Sequence, residues 1–299
     1  MTFSNFQFIL RIVFPLALAL SALFVNAEEE TLKLMAYNVE HLNEDDEAGC
    51  VPRTDDDYLE IAQNIEKAGP DIVGFQEVET AAAAARIFPA DKWVIEFSGR
   101  PNTGKGNECR QLPGKHLRHL GTGFAIRKGL DYERNPDFSA LGLDDNFQRW
   151  GTDITLMHED KPALRLLSVH LKSGCWGPPQ DERAADACPQ LHEQSAVLTE
   201  WVKVSSAEPI PFVVLGDFNR RLALENDWMW AQLNADLPIS LELLDEGVGA
   251  KCDPRYKDFI DHFVLDHRAF KHYVQDSFVE IPRTSDHPDH CALTAELML

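Results

Sequence analysis

The chain has 299 residues, 44% of them hydrophobic, which is enough for a sizeable core and suits one large α/β layer structure rather than several small domains. With 49 acidic residues against 28 basic ones, its formal net charge is −21, which argues at first sight against a polyanionic substrate. Internal repeats and Pro/Ser-rich linkers are absent, and beyond the first residues no apolar run is long enough to span a membrane, so repeat arrays and multi-span membrane proteins are excluded.

Met1 to Ala27 reads as an export signal: Arg11 in a short front, an apolar stretch from Ile12 to Val25 interrupted by Pro15, and a small-residue end at Val25-Asn26-Ala27. Its apolar run is below the ~18 to 20 residues of a spanning helix, so cleavage after Ala27 is expected. The product, residues 28–299, is then an exported protein, secreted or periplasmic, with no stable membrane association.

Thr31 to Tyr37 alternates apolar and polar residues and predicts a strand leading to Asn38. The clusters Glu44-Asp45-Asp46-Glu47 and Asp55-Asp56-Asp57 lack the ligand spacing of a calcium hand and read as solvated surface. From Asp56 to Lys67, residues Tyr58, Leu59, Ile61, Ala62 and Ile65 keep helical spacing, with Thr54 or Asp55 to cap the start and Gly69-Pro70 to stop the end. Asp71 to Gln76 is a β-branched and aromatic run that delivers Glu77, completing a strand-helix-strand unit. The alanines 81 to 85 predict a helix.

Between Arg100 and Lys128 the chain carries Arg100, Lys105, Arg110, Lys115, Arg118, Arg127 and Lys128 against the single acid Glu108. Set among Gly, Asn and Pro, this stretch reads as a flexible basic loop that either contacts phosphates or balances acidic neighbours. Gly121 to Arg127 and Trp150 to Leu156 predict strands, and Ala163 to Val169 predicts another that ends in His170. Pro189 suits the first turn of a helix running through Leu191, Leu198 and Trp201. A fully buried strand, Phe212 to Leu215, then runs out into Gly216-Asp217-Phe218-Asn219, and Phe259 to Leu265 and Ala292 to Met298 supply the last strands. Many strands among fewer helices predict sheets packed face to face with helices outside.

All six cysteines follow the signal, and an even count in an oxidising compartment predicts disulfides. Cys175 with Cys188 would close a loop between a strand and a helix, and the pairing of Cys50, Cys109, Cys252 and Cys291 stays open. Without a Cys-x-x-Cys arrangement, a zinc site is disfavoured.

The apolar runs end in Asn38, Glu77, His170 and Asp217, and Asp261 and Asp289-His290 follow near the C-terminus. Oxygen ligands for a hard cation beside imidazoles that handle protons are what metal-assisted phosphoester hydrolysis needs. The motifs Tyr37-Asn38-Val39, Phe75-Gln76-Glu77-Val78, Val169-His170-Leu171-Lys172-Ser173, Gly216-Asp217-Phe218-Asn219, Ile260-Asp261-His262 and Asp289-His290-Cys291 stand in one order. In that order the sequence resembles the endonuclease/exonuclease/phosphatase superfamily, which includes deoxyribonuclease I, the apurinic endonucleases, the sphingomyelinases and inositol-phosphate phosphatases.

The resemblance covers almost all of the chain after the signal and implies a four-layer α/β sandwich, two packed mixed β-sheets flanked by helices, with the site on one rim. It implies Mg²⁺ or Mn²⁺ held by Glu77 as main ligand with Asn38 and Asp289, and leaves Ca²⁺ open as a structural ion. Asp217 and Asn219 would orient the attacking water and the phosphate oxygens, and His170 would face the leaving group or a nonbridging oxygen. Asp261 would hold the imidazole of the last motif, and Arg149 would touch the phosphate. That last motif occurs twice: strand register favours Asp289 and His290, and Asp286 and His287 are the alternates. For a tyrosine found in some members between Glu77 and His170, Tyr132 is the available counterpart. The implied function is a metal-dependent nuclease of low sequence specificity, a monomer acting on DNA or RNA. A sphingomyelinase-like or small phosphoester hydrolase is the alternative, ahead of a catalytically silent binding module.

Overall fold

The computed structural model describes residues 31–104, 106–176, 187–284 and 288–299, together with Met1. The expected export signal, apart from Met1, lies outside the described residues, as do Lys105, most of the loop between Cys175 and Cys188, and the alternates Asp286 and His287.

In chain order the first half contains β1 (Thr31–Leu42), α1 (Asp55–Ala68), β2 (Ile72–Val78), α2 (Ala81–Ala85), β3 (Trp93–Phe97), β4 (Glu108–Cys109), β5 (Leu112–His116), β6 (Gly121–Arg127) and β7 (Tyr132–Arg134). The second half adds β8 (Thr152–His158), β9 (Lys161–His170), α3 (Ala187–Ala207), β10 (Phe212–Asp217), α4 (Trp228–Leu233) and β11 (Leu241–Leu243). It closes with β12 (Asp261–Asp266), α5 (His267–Phe270), β13 (Val279–Ile281) and β14 (Ala292–Met298).

Two six-stranded sheets form, in the orders β13-β14-β1-β2-β6-β3 and β11-β12-β10-β9-β8-β7. Alternation along each strand sorts side chains between layers. Leu34, Ala36, Ile72 and Phe124 of the first sheet face Leu166, Val213, Leu215 and Phe263 of the second. Their neighbours Met35, Val73 and Phe75 point the other way, onto Tyr58, Ile61 and Ile65 of α1. On the far face Leu167, Val169 and Val214 pack on Leu191, Leu198 and Val202 of α3. Burying one such side chain contributes about 1.5–3 kcal/mol, so the helix-sheet-sheet-helix order follows from the pattern of apolar residues. This is the expected four-layer sandwich.

Helix α1 starts after Thr54, whose backbone N–H donates to Asp57 Oδ2 at 2.7 Å, and stops at Gly69 in the left-handed region, φ 65°. Each parallel pair, β1 with β2 and β9 with β10, carries a helix in its connection, α1 and α3. In the second sheet His170 lies beside Asp217, and Asp217 lies opposite Asp261 at the start of β12. Strand β14 begins just after His290 and runs antiparallel to β1.

The basic stretch departs from a flexible loop. Strands β4 and β5 form a hairpin clipped to the first half by Cys50–Cys109. Arg100 is buried and donates to the Asn146 and Leu120 carbonyls at 2.6 and 2.9 Å. Arg118 pairs with Glu79 at 2.6 Å, Arg127 with Glu66 at 2.9 Å and Lys115 with Glu47 at 3.8 Å. For these last three residues the charge-balancing reading holds. Cys175–Cys188 forms as expected, and Cys252–Cys291 is the third bridge.

Candidate active site

Local backbone turns aim the side chains at the rim. Glu40, His41, Glu77 and Asn219 all take positive φ, from 42° to 63°. Such backbone costs of order 1–3 kcal/mol for a residue with a side chain and collects where geometry matters. Strand pairing slips between Phe75 and Val78, and there Glu77 leaves the alternation while Gln76 stays buried, donating to the Gly74 carbonyl and Ser168 Oγ. At Gly216, φ 128°, a Cβ would lie 2.3 Å from the Val169 carbonyl oxygen, so glycine is required for β10 to bring Asp217 alongside His170.

Asp217 is the hub of the site. One oxygen accepts from the Asn219 backbone N–H at 2.8 Å and the other from Asn38 Nδ2 at 3.0 Å. His170 Nε2 stands 3.5 Å from Asp217 Oδ2 and 3.7 Å from Glu77 Oε1. His290 Nδ1 meets Asp261 Oδ2 at 2.6 Å, and its Nε2 lies 3.9 Å from Asp217 Oδ2 and 3.8 Å from Asp289 Oδ1. Thus His290 is the imidazole brought to Asp261. Asp289 itself is a rim residue, its side chain 59% exposed and its backbone N–H held by Glu40 Oε2 at 2.9 Å.

Electrostatics separates the two imidazoles. Burial disfavours charge on both, but Asp261, then Asp217 and Asp289, outweigh it at His290 and hold its pKa well above the usual value. His170 has burial together with the Arg149 charge against it, and its pKa falls well below the usual value, leaving it neutral. Burial and repulsion from Asp261 raise Asp217 to about 7, against the opposing pull of His290, the Asn219 N–H and Asn38.

Arg149, expected at the phosphate, is instead buried behind the site and is not among the residues lining the cleft. Its guanidinium donates to the carbonyls of His170, at 3.2 Å, and Leu171, fixing the end of β9. Tyr132 donates to Glu96 at 2.7 Å and also does not line the cleft. His41 was not anticipated: its backbone N–H donates to Glu77 Oε2 at 3.2 Å and its ring Nε2 lies 3.3 Å from the same oxygen. No periodicity marks it, because its position depends on two successive left-handed residues.

Glu77, His170, Asp217, Asn219, Asp261, Asp289 and His290 open on a cleft of about 410 Å³. Its outer wall holds Trp176, Arg221, Asp253, Tyr256, Asp258 and Glu280, none foreseen as site residues. Asp217, Asp261 and His290 offer ligand atoms within 4.8 Å of one another, and buried Asp261 Oδ1 has no hydrogen-bond partner among the described residues. Glu77 adds a further carboxylate, Oε1 lying 3.7 Å from His170 Nε2, so the carboxylates of the cleft floor suit a hard divalent cation, whereas Asn38 turns its Nδ2 to Asp217 and its Oδ1 accepts from the Glu40 backbone N–H at 3.0 Å. Cys252, Glu280 and Cys291 also cluster, but both sulfurs are in a disulfide and offer no thiolate.

No curated protein matches the chain. Among solved structures, truncated TDP2 of Caenorhabditis elegans is similar at a TM-score of 0.57 and 16% identity, over 90% of this chain and 98% of that one. The human Nocturnin catalytic domain with bound sulfate anion reaches 0.58 at 15% identity, over 89% and 92%. The 3′ phosphatase NExo from Neisseria, bound to product DNA hairpin, reaches 0.56 at 20% identity, over 89% and 99%. At these identities the likeness is one of fold. The sequence profile of the endonuclease/exonuclease/phosphatase family matches residues 35–287, from the start of the β1 core to the segment before β14, and the chain belongs to that family of phosphoester hydrolases.

Proposed function

We propose that this chain is an exported, divalent-metal-dependent phosphodiesterase, a monomer that cuts DNA or RNA with low sequence preference. The observation that carries it is the paired geometry at the cleft floor: His290 on Asp261, with Asp217 between that imidazole and His170. A phosphodiester resists attack because its oxygens repel a nucleophile, so a site must neutralise developing charge and take a proton from water. Mg²⁺ or Mn²⁺ held by Glu77, with Asn38 and Asp289, would supply part of that neutralisation. Asp217, with its pKa near neutrality, suits a proton acceptor for the attacking water. Asn219 next to it would orient a phosphate oxygen. His290, kept charged by Asp261, would place positive charge against the transferring phosphoryl group, and neutral His170 would donate a hydrogen bond from Nε2–H to the leaving or a nonbridging oxygen.

The cleft wall favours one second reading. Among the described residues its lining contains seven carboxylates and, of lysine and arginine, Arg221 alone, a wall that also suits a cationic lipid headgroup. Residues 28–299, oxidised, should therefore be incubated with plasmid DNA, RNA and sphingomyelin in Mg²⁺ or Mn²⁺, with chelator and Glu77→Ala controls. Chelator-sensitive cleavage of nucleic acid that Glu77→Ala abolishes is the expected result. Phosphocholine release with nucleic acid untouched would make the chain a lipid phosphodiesterase.

A further inference from the structure

Two exposed aromatic rings in the cleft take no part in the chemistry above, although the Arg255 guanidinium lies over the Tyr256 ring at 5.5 Å. Trp176 and Tyr256 both line it, yet they leave 47% and 56% of their surface uncovered. A wide ring exposed in a concave site can take a flat partner at little entropic cost, since it has two rotatable bonds. Both are braced from behind. Arg221 Nη1 donates to the Trp176 carbonyl at 3.1 Å, and Arg220 Nη1 to the preceding carbonyl of Cys175 at 3.0 Å. The Tyr256 backbone N–H donates to the Asp253 carbonyl at 2.9 Å, in a loop tied to the residue after His290 by Cys252–Cys291.

The carboxylates around the rings each have partners. Asp253 Oδ1 accepts from Arg255 Nε at 3.0 Å, and Asp258 faces Arg221 at 3.7 Å. Glu280 accepts the backbone N–H groups of Lys251 and Cys252 at 2.7 and 3.0 Å. Among the described residues the wall therefore presents rings and hydrogen-bonded carboxylates, two of them facing arginines, rather than a row of cations. Duplex DNA, with a charge about every 1.7 Å of axis, draws its affinity from such a row. Stacking needs no cation, but it requires a base free of its partner strand.

We infer that Trp176 and Tyr256 form a stacking site for an unpaired nucleobase beside the scissile phosphodiester and make the chain selective for single-stranded over duplex nucleic acid. This rests on the nuclease reading above.

The test gives the oxidised full chain, with Mg²⁺, a single-stranded oligothymidylate, its duplex, the base-free diester methyl p-nitrophenyl phosphate, and sphingomyelin vesicles. Wild type should prefer the single strand to the duplex by about tenfold or more. Trp176→Ala and Tyr256→Ala should each lower the ratio of kcat/KM on the single strand to that on the base-free diester by about tenfold, equivalent to about 1.4 kcal/mol of lost stacking. Trp176→Phe and Tyr256→Phe keep a ring and should restore most of that ratio. An unchanged ratio in the alanine variants, or a wild type that favours duplex, overturns the stacking site and leaves the nuclease reading standing. Turnover of the base-free diester with every nucleic acid intact overturns both. Phosphocholine release that the alanine variants lose would assign the rings to a quaternary ammonium instead.

Discussion

Two imidazoles share one carboxylate at the cleft floor and are driven in opposite directions, His290 towards its charged form and His170 towards its neutral one. Asp261 is the strongest charge favouring the His290 imidazolium, while Arg149 opposes charge on His170, so Asp261→Asn should lower kcat by about a hundredfold to ten-thousandfold, and so should His290→Ala. Because the two act as a unit, the double variant should lose little more than either single one; additive losses would show that they act separately. A third histidine has a structural use. His262 is buried with Nδ1 at 2.9 Å from Asp245 and Nε2 at 2.7 Å from the Arg220 carbonyl, so both nitrogens face acceptors and the imidazolium fits. Burial works against that charge, yet Asp245 and the carbonyl raise its pKa above the usual value. A raised folded-state pKa contributes stability that is complete below about 6.5 and lost as pH rises through the folded value. Wild type should therefore lose stability above neutral pH along a steeper slope than His262→Gln, which keeps only the share due to His290, as denaturant titrations at several pH values would show. Asn38, Glu77, His170, Asp217, Asp261 and His290 were legible in the sequence because each ends or adjoins an apolar run and brings chemistry of its own. Arg149 was misplaced because sequence cannot show which carbonyls a guanidinium will meet. Trp176 and Tyr256 looked like ordinary loop residues until the fold put them on one wall.

At the scale of elements, the site depends on β10 lying close against β9. Gly216→Ala would drive a Cβ into the Val169 carbonyl and into Gln76, 2.8 Å from its Nε2. Unable to clear backbone, the strand must shift, so a loss of about 3 kcal/mol or more is expected in chemical denaturation, with activity falling in the remaining folded protein. A stability within about 0.5 kcal/mol of wild type would mean the strands relax at little cost. The long elements were readable from apolar spacing and terminal signals: α1 between Thr54 and Gly69, α3 around Pro189, β6 and β14 almost residue for residue. Three-residue edge strands such as β7, β11 and β13 were not, since so short a run carries no period and exists only through its neighbour. The hairpin β4–β5 escaped for a different reason. Its basic residues suggested solvent, whereas a disulfide and ion pairs to Glu47 and Glu79 hold the segment to the body.

Across the whole molecule three bridges close separations of 59, 13 and 39 residues. By the loop-closure relation each restricts the unfolded chain by about 3–4 kcal/mol, which together rivals the entire stability of a typical domain. Reduction should then lower Tm by about 20 °C or more, and equal melting with and without reductant would show that the bridges contribute little. No helix among the described residues is long and apolar enough to cross a membrane. The Cys252–Cys291 bridge joins the residue that follows His290 to the loop bearing Tyr256. In a reducing cytosol those sulfurs are thiols, and the brace beside the imidazole is missing. On the reading proposed above, that brace forms only with the oxidation that completes the fold, so reductant should lower activity together with stability.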